Sequence, residues 1–221
     1  MRPAASGLEL RVRRGRLITF EGIEGCGKST QVGLLAAHLR ERGIRVVTTR
    51  EPGGTPLGER VRDLLLDPRL SPVAVGELFL LEAARSQVVS EIIAPALAAG
   101  EYVLSDRFAD SSVAYQAGAR GIDRTAVESL NAVACAGVVP NRTVVLDLDV
   151  ELALERARRR PTTTSDNRRF EDEALHFHTA VAAAYRELAR REPSRVVLVD
   201  AAGAPEEVFA RVLAAVSDLL P

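Results

Sequence analysis

The chain predicts an α/β fold: a five-stranded parallel sheet flanked by helices, built around a phosphate-binding loop. Three observations predict it. Short apolar runs at 17–21, 45–49, 102–105, 143–148 and 196–199 have the length of buried strands. Helical patterns separate them, and that alternation marks βαβ units around a parallel sheet. The first run leads directly into Gly22-Ile23-Glu24-Gly25-Cys26-Gly27-Lys28-Ser29-Thr30. Finally, three strands end in aspartate, at Asp106, Asp147 and Asp200, which sets carboxylates on the sheet edge where ligands of open α/β folds collect.

Each part of the loop has a chemical purpose. Gly22 and Gly27, followed at once by Lys28 and Ser29, have the spacing of a P-loop between strand and helix. Glycines let successive backbone N–H groups turn inward around phosphate oxygens. The helix starting near Lys28 (Val32, Leu34, Leu35 and Leu39 give its apolar pattern) points its positive end at the same anion. Lys28 suits the β- and γ-phosphates, and the Ser29 hydroxyl suits Mg²⁺. The segment 22–30 is therefore read as the site of a nucleoside triphosphate.

Composition narrows the class. The 221 residues are 47% hydrophobic, enough for a sizeable core, and the net charge of −1 argues against general nucleic-acid binding. Cys26 and Cys135 are the two cysteines, so neither a disulfide framework nor a cysteine zinc site is implied. No run approaches the length of a membrane span. Residues 1–16 carry five arginines without the apolar core of a signal peptide. They read as a loosely ordered basic leader before a single domain, 17–221, and the expected location is cytoplasmic.

Along the chain, 73–99 reads as one long helix despite Gly76 and Pro95, and the last helix runs from 205 to about 219. Val208, Phe209, Val212, Leu213 and Val216 give that last helix a core-facing stripe. His176 and His178 are two apart and so point to different helical faces; they are not a metal pair. Of the three strand-terminal aspartates, Asp106 is best placed for Mg²⁺, because Arg107 follows it. Asp200-Ala-Ala-Gly imitates a GTPase switch, but no guanine-recognition sequence follows.

Cations complete the pattern. Arg50 closes the second strand in Arg50-Glu51-Pro52-Gly53-Gly54-Thr55, Arg85 lies on the long helix, and Arg107 follows the third strand. Their convergence on one edge predicts a second phosphate site, since guanidinium forks suit a phosphate monoester. The arginine-rich run at 156–160 breaks into a Pro/Thr/Ser loop and resumes as Arg168-Arg169. That is the composition of a lid over phosphates, at about 156–170.

REPGGT at 50–55, DRFADSSVAYQ at 106–116 and Gly118-Ala-Arg-Gly121 closely resemble the thymidylate kinases of bacterial type. The resemblance runs from about residue 17 to the C-terminus. It implies a nucleoside monophosphate kinase fold, ATP and Mg²⁺ on the loop, dTMP as acceptor and a homodimer. It also implies that Glu24 accepts from the deoxyribose 3′-hydroxyl and that Arg85 and Arg107 hold the dTMP phosphate with Arg50 close by. Ser112 and Gln116 would face thymine, Tyr115 would pack near the sugar, and Ser29 and Asp106 would hold the metal. Gly25 puts the chain with relatives that supply the catalytic arginine from the lid, here Arg169, beside Lys28 and Arg107.

The sequence departs from the pattern in places. Arg168 occupies an acidic lid position, Ala117 replaces a glycine, Asn141-Arg142 stands where Pro-Asp-Leu would continue, and Leu81 falls where an aromatic stacks on thymine. A kinase of another monophosphate, such as dUMP, and a P-loop regulatory ATPase are the alternatives at this point.

Overall fold

A computed structural model describes residues 15–159 and 173–220. Residues 1–14 of the expected leader and 160–170 of the expected lid, with Arg168 and Arg169, lie outside the described residues, while 156–158 of the expected lid form the end of a helix, Val150–Arg158. Five parallel strands form one sheet in the order β2-β3-β1-β4-β5. They are β1 Arg16–Glu21, β2 Val46–Arg50, β3 Tyr102–Asp106, β4 Arg142–Asp147 and β5 Val196–Asp200. Each expected strand is present to within a residue or so at either end.

The side-chain alternation of the central strands assigns the two faces. Leu17 and Val103 are register partners and pack with Val88, Ile93, Ala96 and Cys135, the layer formed by α3 (Ala74–Val88), α4 (Ala94–Ala98) and α6 (Arg124–Cys135). Their neighbours Ile18 and Leu104 pair on the opposite face. That face is covered by Leu35 and Leu39 of α1 (Lys28–Glu41), Val181, Tyr185 and Leu188 of α8 (Leu175–Arg191), and Val208, Val212 and Val216 of α9 (Pro205–Val216). Helix layers on both faces explain why the strands read as continuous apolar runs.

The long helix expected at 73–99 is helical from Ala74 to Ala98, with one π turn, Val89–Ile93, between α3 and α4. That turn absorbs Pro95, whose ring cannot donate to the ladder. A second π segment, Val113–Ala119, follows the short α5 (Ala109–Ser112). The Asn141 departure has a local use: it exchanges two 2.8 Å hydrogen bonds with the backbone of Leu17 and so seats the entry of β4 against β1.

Candidate active site

The phosphate-binding loop leaves β1 after Glu21 and enters α1 at Lys28. Gly25 has φ +79, and a β-carbon there would meet the Ala153 carbonyl oxygen at 1.8 Å. The loop thus rests on the backbone of α7 (Val150–Arg158), and no side chain fits at that position. Lys28 is buried, its ammonium donating to the carbonyls of Ile23 at 2.8 Å and Gly22 at 3.1 Å. Ser29 at the head of α1 donates to Asp106 Oδ2 at 2.5 Å. The other two strand-terminal aspartates are engaged elsewhere, Asp147 with Arg186 and Asp200 with Arg211.

Ser29 and Asp106 bring two hard oxygen donors together, which fits Mg²⁺. That ion takes one or two protein oxygens and keeps waters and substrate phosphates for the rest. Among the described residues no three His, Cys, Asp or Glu side chains form a metal cage of their own.

Beside the loop, Arg107 is the hub. Its backbone has φ 75, uncommon for a residue with a β-carbon. The Arg107 guanidinium donates to Glu24 Oε1 at 2.7 Å, to Tyr115 Oη at 3.0 Å and to the Gly22 carbonyl at 3.1 Å. Tyr115 Oη is also 2.9 Å from both Glu24 oxygens. Burial alone would raise the Glu24 carboxyl, but Arg107, Lys28 and Tyr115 outweigh it and hold it well below the usual carboxylate range. Glu24 is therefore a fixed anion between the phosphate loop and the third strand.

The carboxyl edge of the sheet carries the expected cations, with one exchange. Thr55 caps α2 (Pro56–Leu66) by accepting from Gly58 N, and Glu59 in its first turn accepts from Gly54 N and Arg50 at 2.8 Å each. This turn points Arg50 along the edge and brings in Arg62, which sequence reasoning overlooked. Burial and the like charges of Arg50 and Arg107 lower the Arg62 pKa, with Glu59 and Asp106 opposing. Arg50, Arg62 and Arg107 thus share one field beside Asp106. Arg62, half-buried among like charges, is a cation placed to receive an anion.

Arg85 does not join them at the surface. It is 1% exposed and donates to Glu51 at 2.9 Å, Glu82 and Asn131 at 2.6 Å each, Ser112 at 3.0 Å and the Phe108 carbonyl at 3.3 Å. It lies beneath the turn that presents Arg107, where two carboxylates neutralise it. Ser112 is fully buried against the same group, and buried Gln116 donates to Glu77 at 2.9 Å. Leu81 is half-buried against Val61, Leu65 and Ala84, whereas Phe79 is 56% exposed.

Several members escaped the sequence reading. Glu21, Glu77 and Glu82 are buried carboxylates inside apparently ordinary strand and helix patterns. Tyr185 comes from α8, far along the chain, yet reaches Glu21 at 2.7 Å. His178 is fully buried with Nδ1 3.5 Å from Glu24 Oε2, and neither ring nitrogen has a hydrogen-bond partner among the described residues. The one available signal for Arg62 was its i,i+3 relation to Glu59 on a helix opened by Thr55-Pro56.

A P-loop with an oxygen pair for a metal, facing a second cation cluster across one sheet edge, defines a phosphotransferase of the nucleoside monophosphate kinase class. The comparisons give the particular family. The model of the thymidylate kinase family matches residues 20–212. The chain is 52% identical to the thymidylate kinase of Trichlorobacter lovleyi, over 91% of this chain and 94% of that protein. It is 45% identical to the thymidylate kinase of Deinococcus radiodurans, over 93% and 98%. The crystal structure of thymidylate kinase from Ehrlichia chaffeensis superposes with a TM-score of 0.73 at 33% identity, covering 90% of this chain and 97% of that one. The chain belongs to the thymidylate kinase family.

Proposed function

We propose that the enzyme transfers the γ-phosphoryl group of ATP to dTMP, giving ADP and dTDP, with the ATP phosphates on Gly22–Thr30 and dTMP along the Arg50–Arg107 edge. The observation that carries this reading is the Glu24–Arg107 junction. It sets one carboxylate acceptor and one guanidinium donor side by side, as a monophosphate with a nearby sugar hydroxyl requires. Family membership supplies the identity of the acceptor.

The acceptor is already an anion, so no strong base is called for. A dTMP phosphate oxygen attacks the γ-phosphorus as its bond to ADP breaks, and catalysis is positioning plus charge neutralisation. Arg107 holds the acceptor phosphate, with Arg50 and Arg62 contributing field. Lys28 turns from the Gly22 and Ile23 carbonyls toward the β- and γ-phosphates. Ser29 and Asp106 would hold Mg²⁺, which when bound neutralises charge on the ATP oxygens. The fit of Gly25 against α7 leaves no room for an arginine at that loop position, which supports a lid arginine, Arg169, for the transferred group. Tyr115 would pack near the sugar, Leu81, Ser112 and Gln116 would border the base, and Arg85, which the family resemblance assigns to the dTMP phosphate, would act on it from beneath the Arg107 turn.

A homodimer in the cytoplasm completes the proposal. Exposed apolar side chains on α2, α3 and α6 (Leu57, Leu64, Val75, Phe79 and Val133) support self-association through these helices. The test of the function is ADP release measured with dTMP, dUMP, dCMP, dGMP and AMP side by side. Release stimulated mainly by dTMP is expected. Equal stimulation by all five, or none by any, would overturn the assignment.

A further inference from the structure

Glu21 is the last residue of β1, fully buried, and no part of the reaction just described uses it. Its Oε1 accepts from Phe108 N at 2.7 Å. Its Oε2 accepts from Ser111 Oγ at 2.6 Å and Tyr185 Oη at 2.7 Å. These two hydroxyls, 3.1 Å apart, also lie 3.3 and 3.5 Å from Arg107 Nη1. We propose that ionised Glu21 is a positioning residue for dTMP: by taking the protons of Ser111 and Tyr185 it turns their lone pairs toward Arg107 and so aims that guanidinium at the monophosphate. The inference rests on the dTMP reading above.

Proton count decides which way the hydroxyls face. A hydroxyl has one proton and two lone pairs. Given to a carboxylate, the proton points away from Arg107 and both hydroxyls become acceptors for its N–H groups. A protonated Glu21 would donate to one hydroxyl, and that hydroxyl would have to aim its own proton elsewhere, toward the cation among other directions. The backbone adds a second constraint. Arg107 is held at φ 75 by its own N–H to the Phe20 carbonyl on one side, and by the next N–H to Glu21 on the other. One carboxylate therefore fixes both the turn that presents Arg107 and the hydroxyls that hold its tip.

The groups facing Glu21 are Arg107, Asp110 and Ser111 from the β3–α5 segment and Tyr185 from α8; Glu51 beyond β2 also feels its charge. Burial pushes the Glu21 carboxyl up to about 7, against the pull of Arg107, with Asp110 adding to the rise and the two hydroxyl bonds opposing it. Its charge is thus open to change near neutral pH, and monophosphate binding should follow it.

Glu21→Gln keeps the shape and puts an amide donor among the acceptors. The expected result is a KM for dTMP raised about tenfold or more, with the KM for ATP changed less than about twofold. The ratio of the wild-type to the Glu21→Gln KM for dTMP should also approach one as pH falls from about 8 to about 6, the substrate's own ionisation cancelling in the ratio. Tyr185→Phe should raise the KM for dTMP as well, and combined with Glu21→Gln it should add far less than the product of the single effects. An unchanged KM for dTMP in Glu21→Gln, or equal rises for dTMP and ATP, would overturn the inference. Should Glu21→Gln not fold, Ser111→Ala and Tyr185→Phe decide: wild-type KM for dTMP in both overturns it equally. Wild-type protein that phosphorylates no dTMP would instead strike the functional reading itself.

Discussion

Ser29 Oγ lies 2.5 Å from Asp106 Oδ2, joining the first turn of α1 to the last residue of β3 across the sheet edge. The two residues are far apart in sequence, and parallel pairing of β1 with β3 brings them together. If this pair holds Mg²⁺, Ser29→Ala and Asp106→Asn should each raise the Mg²⁺ concentration for half-maximal rate by about ten- to a hundredfold, the scale of ligand-shell losses. Mg²⁺ titrations of initial rate check this. An unchanged midpoint in both variants would move the metal elsewhere.

Lys28→Ala should leave a folded protein, because its ammonium bonds two loop carbonyls rather than a core partner. The rate of phosphoryl transfer should fall by about 10²–10³-fold or more, the cost of removing a charge-stabilising donor. No other lysine exists in the chain to substitute for it. Thermal unfolding and a coupled assay on the same sample separate the two effects.

Arg62→Ala and Arg85→Ala should fail in opposite ways. Arg62 is half-buried beside like charges, so its removal relieves repulsion and costs little stability, while the KM for dTMP rises about tenfold. Arg85→Ala strips the partner from buried Glu51 and Glu82 and should cost about 3–5 kcal/mol of stability. Denaturant midpoints set against KM values for both variants make the contrast.

The difference between these arginines marks where the sequence was legible. The five strands, the loop and Asp106 were readable because each rests on local pattern: apolar runs, glycine spacing, a strand-terminal carboxylate. The depth of Arg85 and the approach of Arg62 were not, because both depend on how α2 and α3 pack on each other. Buried carboxylates are invisible for the same reason. Glu21, Glu51 and Glu82 look like ordinary surface residues until the hydroxyls, amides and guanidinium that satisfy them arrive from distant segments.

Those carboxylates set a pH dependence. Burial, against Arg107 and Arg85 respectively, raises Glu21 and Glu51 from 4.5 to about 7. Between those values the folded protein holds protons that the unfolded chain has released, so stability falls as pH rises through the window. Glu24 acts oppositely: held low, it contributes stability that is fully present above 4.5 and is lost progressively as pH falls below that value. The unfolding midpoint of the wild type should carry a decline from about pH 5 to about pH 7.5, and Glu51→Gln should show a shallower one. Identical slopes would contradict the raised Glu51.

At the base end, Phe79 is 56% exposed on the face proposed for self-association, so Phe79→Ala should leave the fold of each protomer intact and weaken dimerisation instead, as sedimentation would read. Leu81→Phe should lower the KM for dTMP and widen the preference over dUMP, since stacking on a base is worth about 1–3 kcal/mol and leucine keeps only the apolar part. Values of kcat/KM for both monophosphates test the position.

The central claim is that the P-loop and the Arg107 edge form one site for transfer between nucleotides. It is tested most directly by following the label from γ-labelled ATP in single-turnover reactions with and without dTMP. The account predicts label in dTDP, dependent on dTMP, and lost together in Lys28→Ala and Arg107→Ala. Label released as inorganic phosphate at the same rate with or without dTMP would contradict it.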